Sequence, residues 1–138
     1  MDESQLQALI DRNAIIDTMN RYATGIDQRD AAIYRSCFTD ELELHMGDAE
    51  PRHCKADEWV SQAFAAVGTF QSTQHIITNH VVTLEGEEAC CVAYLQAQHY
   101  NPDNAVLVGG YYTNRLVREA EGWRISSLKL TITWTKSG

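Results

Sequence analysis

The sequence predicts an α+β fold: a cone-shaped barrel in which N-terminal helices pack into the concavity of a strongly curved, mostly antiparallel sheet. Three observations carry this. From Ser4 to about Gln28, apolar side chains recur at three- and four-residue steps, as a one-faced helix requires. From Ser72 onward the chain is rich in β-branched and aromatic residues and is cut by the short turn segments Glu85–Glu88, Asn101–Asn104 and Glu119–Gly122, which is a meander of long strands. Inside one of those strands stands Gly109-Gly110, a pair that weakens a flat strand and marks a bulge or sharp bend. A sheet bent there curls over the first helix and leaves a pocket between the two layers.

The elements follow in order. The first helix carries Leu6, Leu9, Ile10, Ile16, Met19, Ala23 and Ile26 on its apolar stripe, and Ser4 with Gln7 has capping-box spacing. Asp27-Gln28-Arg29-Asp30 breaks the pattern. Asp30 caps a short second helix, Ala31 to about Phe38, with Tyr34 and Cys37 inward. Thr39-Asp40 reads as a turn, Glu41 to Met46 alternates as a half-buried strand, and Gly47 to His53 reads as a loop. Lys55 to Val67 forms a third helix with Trp59, Val60, Phe64 and Val67 at helical steps and Gly68 past its end. The strands are Ser72–Leu84, Ala89–Tyr100, Ala105–Arg118 and Trp123–Thr135. The 138 residues suit one domain, 1–138, with one core.

Composition excludes several classes of function. Charged residues make up 22% and hydrophobic ones 44%, which is globular. A net charge of −8 with no basic patch argues against nucleic acid and against an anionic membrane surface. No apolar run is long enough to span a bilayer, and the acidic Met1-Asp2-Glu3-Ser4 is unlike a signal peptide, so a cytoplasmic protein is expected. Cys37, Cys54, Cys90 and Cys91 lack metal-ligand spacing and read as reduced, packed thiols. With no HxH or HExxH element, no metal is expected.

The site is expected on the first hairpin. His75 shares strand parity with Ile77, Val81 and Thr83, and His99 with Cys91, Ala93, Leu95 and Ala97. A loop with an odd number of residues brings these two sets onto one face and makes His75 and His99 neighbours. His80, of opposite parity to His75, is expected to face outward or toward a subunit contact, and His45 and His53 to be surface or loop residues.

The whole chain resembles the SnoaL-like branch of the nuclear transport factor two-like superfamily. The residues that carry the likeness are Arg12-Asn13-Ala14-Ile15-Ile16-Asp17, Arg21-Tyr22 and Asp27-Gln28-Arg29-Asp30 at the start, and Gly110-Tyr111-Tyr112, Leu116-Val117-Arg118 and Gly122-Trp123-Arg124-Ile125 at the end. Within that branch the chain is similar to scytalone dehydratase and its relatives. That resemblance implies a catalytic set: Asp27, a substrate-holding His75 in Thr73-Gln74-His75, and His99 in Gln98-His99-Tyr100 as the histidine paired with the aspartate. Dehydrochlorinase and bile-acid dehydratase relatives imply instead that His75 is the base, with Tyr22 added in the second. Where scytalone dehydratase has water-orienting tyrosines this chain has Ile26 and Met46, so its substrate is not implied, and Tyr22, Tyr111 or Tyr112 is left as the acid partner.

The chemistry implied is a cofactor-independent elimination on a small hydrophobic, oxygenated substrate. It needs a base near neutral pH, which histidine supplies, and a carboxylate to hold its tautomer. Trp59, Phe64, Leu95, Val108, Tyr112 and Trp134 are the expected apolar lining. Each assignment has a plainer rival: a core histidine bonded to a backbone carbonyl, a turn aspartate, a packed tyrosine. The alternatives on the same fold are an isomerase or cyclase, an epoxide hydrolase, and a non-catalytic ligand carrier or oxygenase-type small subunit. A homodimer or homotrimer through the outer sheet face is expected from Tyr94, Val92 and Leu107.

Overall fold

A computed structural model describes Met1 to Gly138 and has the expected elements in order, with one short strand added ahead of the third helix. Helix α1 spans Glu3–Asp27, α2 Ala31–Arg35 and α3 Ala56–Val67. The strands are β1 Phe38–Met46, β2 Arg52–Lys55, β3 Ser72–Glu85, β4 Glu88–Asn101, β5 Asn104–Glu119 and β6 Gly122–Ser137. They form one curved sheet in the order β2-β1-β6-β5-β4-β3, antiparallel throughout except for the parallel β1–β6 pair. The barrel is not closed: β2 and β3 remain as edges, and the helices cover the concave face.

The cap of α1 lies two residues earlier than its sequence suggests. Asp2 is the N-cap, and Gln5 reaches back to the Asp2 amide to complete a capping box. The buried face of α1 is Ile15, Thr18, Met19, Tyr22, Ala23, Gly25 and Ile26. Leu6, Leu9 and Ile10 are about half exposed instead of inward, because they lie on the side of α1 turned away from Asp11, Ile15, Thr18 and Tyr22, which face the sheet. Gly25 is where α2 crosses: a β-carbon there would lie 2.7 Å from the Tyr34 backbone nitrogen, so only glycine allows the approach. Asp30 caps α2 by accepting from the Ile33 amide, and Tyr34 and Cys37 are buried as expected. Thr39 and Asp40 are not a turn but part of β1, and the last two residues of the expected loop, Arg52 and His53, begin β2, four residues paired with Glu41–Leu44. His45 and His53 therefore sit on strands.

The first hairpin reaches its expected facing by a different route. Its loop is the even-numbered pair Gly86-Glu87, with Glu85 opposite Glu88. The parity change comes from a bulge: Thr78 pairs with Tyr94 and Val81 with Val92, so Asn79 and His80 oppose Ala93 alone. Asn79 takes φ 57°, the left-handed region that asparagine tolerates. The inward set of β3 is accordingly Thr73, His75 and Ile77 before the bulge, and Val82 and Leu84 after it. Val81 and Thr83 are exposed, contrary to simple alternation. His80 does not face outward freely: its Nε2 is covered and has no hydrogen-bond partner, and burial lowers its pKa below 6.5.

The glycine pair performs as expected. Gly109 pairs with Trp134 and Gly110 with Ile132, which leaves Thr133 as an extra residue. At Gly110 a β-carbon would stand 2.0 Å from the Thr131 carbonyl oxygen.

Candidate functional site

Asp27 ends α1 and His75 lies on the edge strand β3, and the two meet. His75 Nδ1 is 2.7 Å from Asp27 Oδ1, and the His75 backbone amide donates to Asp27 Oδ2 at 2.6 Å. Thr73, one inward step along β3, donates its hydroxyl to Asp27 Oδ1 at 3.0 Å. Three donors thus converge on two carboxylate oxygens. A carboxylate only accepts, so Nδ1 carries the ring proton and Nε2 holds the free lone pair. The His75 and Asp27 side chains are 10% and 19% exposed, which shelters the bond from bulk water.

The ring of His75 lines a cavity of about 250 Å³ between the helices and the concave face of the sheet. Fourteen of its sixteen lining residues are hydrophobic, so the polar groups that do face it are few and placed. They form two clusters. One is His75 with His99, whose ring centroids are 5.8 Å apart in an edge-to-face arrangement. The other is Tyr22 with Tyr112, whose hydroxyls are 3.0 Å apart. Beside them Trp59 Nε1 donates to the Tyr34 hydroxyl at 3.2 Å.

His99 is not bonded to Asp27. Its Nδ1 points to the Val106 carbonyl oxygen at 3.4 Å, and its ring packs on Phe70. Register explains this: His99 stands opposite Thr73, one inward pair beyond the His75–Ala97 pair. Burial first, and the neighbouring His75 second, lower its pKa below 6.5, so it is neutral at pH 7. Burial raises the hydroxyl pKa values of Tyr22, Tyr34 and Tyr112 above 10, which keeps them protonated as donors. The pairing is therefore Asp27 with His75, not Asp27 with His99.

Asp27, His75, His99, Tyr22, Trp59, Leu95, Val108 and Tyr112 all come together at or beside this cavity. Two expected lining residues do not. Trp134 is flipped to the convex face by the extra residue Thr133, and its ring lies over Gly109, where a β-carbon would be 2.1 Å away. There it borders an uncharged outer groove of about 480 Å³ with Ile76, Tyr94 and Tyr111. Phe64 packs behind the wall, against the Tyr34 ring at 5.6 Å. Tyr111, opposite in parity to Tyr112, is also outside. Sequence reasoning missed Tyr34 as a cavity residue, Thr73 as a partner of Asp27 and Arg29 as a partner of Thr73. Thr73 had a signal, since it shares the face of His75.

The SnoaL-like domain family matches residues 7–129. The chain belongs to the SnoaL-like family. Its fold is shared by Kfla4162 of Kribbella flavida, 33% identical with a TM-score of 0.89 over 94% of this chain and 95% of that one. It is shared too by a scytalone dehydratase-like protein of Novosphingobium aromaticivorans, 20% identical with a TM-score of 0.82 over 94% and 88% of the two chains. Terrestric acid biosynthesis cluster protein E of Penicillium crustosum is 28% identical over 92% of this chain and 86% of its own length. The SnoaL-like fold family includes dehydratases, isomerases and cyclases. No helix of the chain is long and apolar enough to cross a membrane.

Proposed function

We propose that the protein is a cofactor-independent lyase that eliminates water from a small, neutral, hydrophobic carbonyl compound. The observation that carries the reading is the Asp27–His75 bond at the wall of an apolar cavity, with Nδ1 committed to the carboxylate and Nε2 left as base. Similarity to a scytalone dehydratase-like protein supports it at the level of the fold.

In this reading, His75 Nε2 takes a proton from the carbon next to the substrate carbonyl. The electron pair of the broken C–H bond moves toward the carbonyl oxygen, where negative charge develops. The Tyr22–Tyr112 pair holds two hydroxyl protons and spends one between its own oxygens, so one remains to donate to that oxygen. The electrons return to form the C=C bond as the β C–O bond breaks. The imidazolium, held by Asp27, gives its proton to the departing hydroxide, and water leaves. In this reading neutral His99, whose Nδ1–H goes to the Val106 carbonyl oxygen, uses Nε2 to accept a hydrogen bond from the substrate hydroxyl that leaves. An isomerase would share the first half and return the proton to a different carbon.

The cavity bounds the substrate. By proportion to a 150 Å³ apolar cavity that holds benzene, about ten non-hydrogen atoms fit. The test is a panel of small cyclic β-hydroxy ketones, with enone formation followed by absorbance. Turnover by the native protein that falls about 10³-fold in His75→Ala is expected; equal turnover by the two overturns the reading. The outer groove and the exposed Tyr94 also support self-association through the convex face. A sedimentation mass near 15.5 kDa would refute that.

A further inference from the structure

We propose that Arg29 is a positioning residue: through Thr73 it fixes which nitrogen of His75 is the base. The proposal rests on the reading of His75 as the catalytic base. Arg29 sits just past α1 with φ 56°, a left-handed conformation that a long side chain adopts only when its surroundings impose it. What imposes it is a set of directed bonds. Its Nη1 donates to the Ile26 carbonyl oxygen at 2.7 Å and to Thr73 Oγ1 at 2.8 Å, and its Nη2 donates to the Val67 carbonyl oxygen at 3.1 Å. The guanidinium therefore ties the end of α1 to the end of α3 and to β3, directly behind the dyad.

The direction of the resulting chain is forced. A guanidinium has five donors, no acceptor and a permanent charge. The Thr73 oxygen must accept from Arg29, and its own proton goes to the acceptor 3.0 Å away, Asp27 Oδ1. Asp27 then receives donors from Thr73, from the His75 amide and from the His75 ring, with a cation one hydroxyl removed. With its oxygens committed as acceptors, the carboxylate accepts a hydrogen bond from Nδ1–H, and Nε2 is left free. Without the cation and its directed donor, Thr73 is free to turn, Asp27 loses a donor, and the imidazole can exchange its proton between the two nitrogens. Arg29 touches neither the cavity nor a substrate; it acts only through Thr73 and Asp27.

The test reads the ring itself. Histidine ¹⁵N-labelled protein is taken to pH 8, and the two His75 ring nitrogens are assigned by long-range proton–nitrogen correlation in the native protein and in Arg29→Met, Thr73→Val and Thr73→Ser. The native ring is expected to show a protonated Nδ1 and an unprotonated Nε2. In Arg29→Met and Thr73→Val the two shifts are expected to move toward each other as the second tautomer fills in, while Thr73→Ser keeps the native pattern. A merely structural Arg29 lowers stability and leaves the ring shifts alone. Thr73→Val changes little in shape, so it serves if Arg29→Met does not fold. Native shifts in Thr73→Val, or in a folded Arg29→Met, overturn the proposal. The readout needs no turnover: shifted tautomers in a protein that dehydrates nothing would leave the relay standing and remove the lyase reading alone.

Discussion

Helix α1 carries two sheet-facing carboxylates, Asp11 and Asp27, sixteen residues and so about 24 Å apart. They have different partners. Asp11 is buried and clasped by both terminal nitrogens of Arg118 at 2.8 Å each, with Trp123 Nε1 on Oδ1 at 3.3 Å and Gln7 adding a fourth donor. Arg118 in turn lies over the Trp123 ring at 4.6 Å. Every group there is satisfied and none can hand on a proton. Asp27 is bonded directly to an imidazole that lines the apolar cavity, and the nearby permanent cation is held one residue back, on Thr73. The same side chain on the same helix thus fastens the fold at one end and can drive chemistry at the other. The partner decides: a fixed cation makes an anchor, a titratable ring makes a dyad.

The largest expected effect breaks this comparison at its functional end. Asp27→Asn turns one of two acceptor oxygens into an NH₂ donor, so that three donors compete for one oxygen and Nδ1–H is no longer held, and kcat on a found substrate should fall by about 10³- to 10⁴-fold, with a smaller change in unfolding midpoint. At the other end the ordering reverses. Asp11→Asn takes from Arg118 its two-pronged acceptor but leaves it Glu87 at 3.0 Å, and a loss of about 2 kcal/mol, on the order of 5 °C in Tm, is expected from thermal melts with kcat little changed.

Acid sharpens the contrast. Arg118 foremost holds Asp11 down to about 2, below its ordinary 3.8, so its contribution is complete above about pH 4 and is lost as pH falls from there through 2. A melt series should show that loss in the native protein and not in Asp11→Asn. His99 behaves in the same sense at higher pH: its folded pKa lies below 6.5, so its contribution is present above 6.5 and lost below. Removing the second cause of that shift by His75→Ala should raise the His99 titration midpoint by NMR yet leave it under 6.5, because burial persists. The smallest effect belongs to the first turns of α1. Leu9→Ser, at a half-exposed position, should change stability by less than about 0.5 kcal/mol by denaturant titration.

Much of this was legible before any coordinates, for a physical reason. Helical periodicity and β-branched runs report burial, so α1, α3 and the four long strands stood out, and the glycine pair marked the bend that makes the concavity. The nearness of His75 and His99 was legible from strand parity, and Asp27 as a candidate partner through family likeness. Facing was not. The inward set of β3 changes parity at Asn79–His80, and Trp134 is turned out by Thr133; each bulge is one added residue that leaves composition untouched. Leu6, Leu9 and Ile10 misled because the sheet covers the opposite side of the helix there, the side on which the polar Asp11 is buried. β2 is too short to alternate, and Thr39–Asp40 lies inside β1 by pairing that only the folded chain supplies. Arg29 could not be read at all: its role depends on three acceptors drawn from α1, α3 and β3.

Deuterium uptake tests the central claim most directly. A small cyclic ketone with no leaving group is incubated with the protein in D₂O, so that proton removal beside the carbonyl is followed alone. The account predicts catalysed exchange by the native protein, reduced about 10³-fold in His75→Ala and in Asp27→Asn and retained in Asp11→Asn. Exchange that persists undiminished in a folded His75→Ala protein would contradict it.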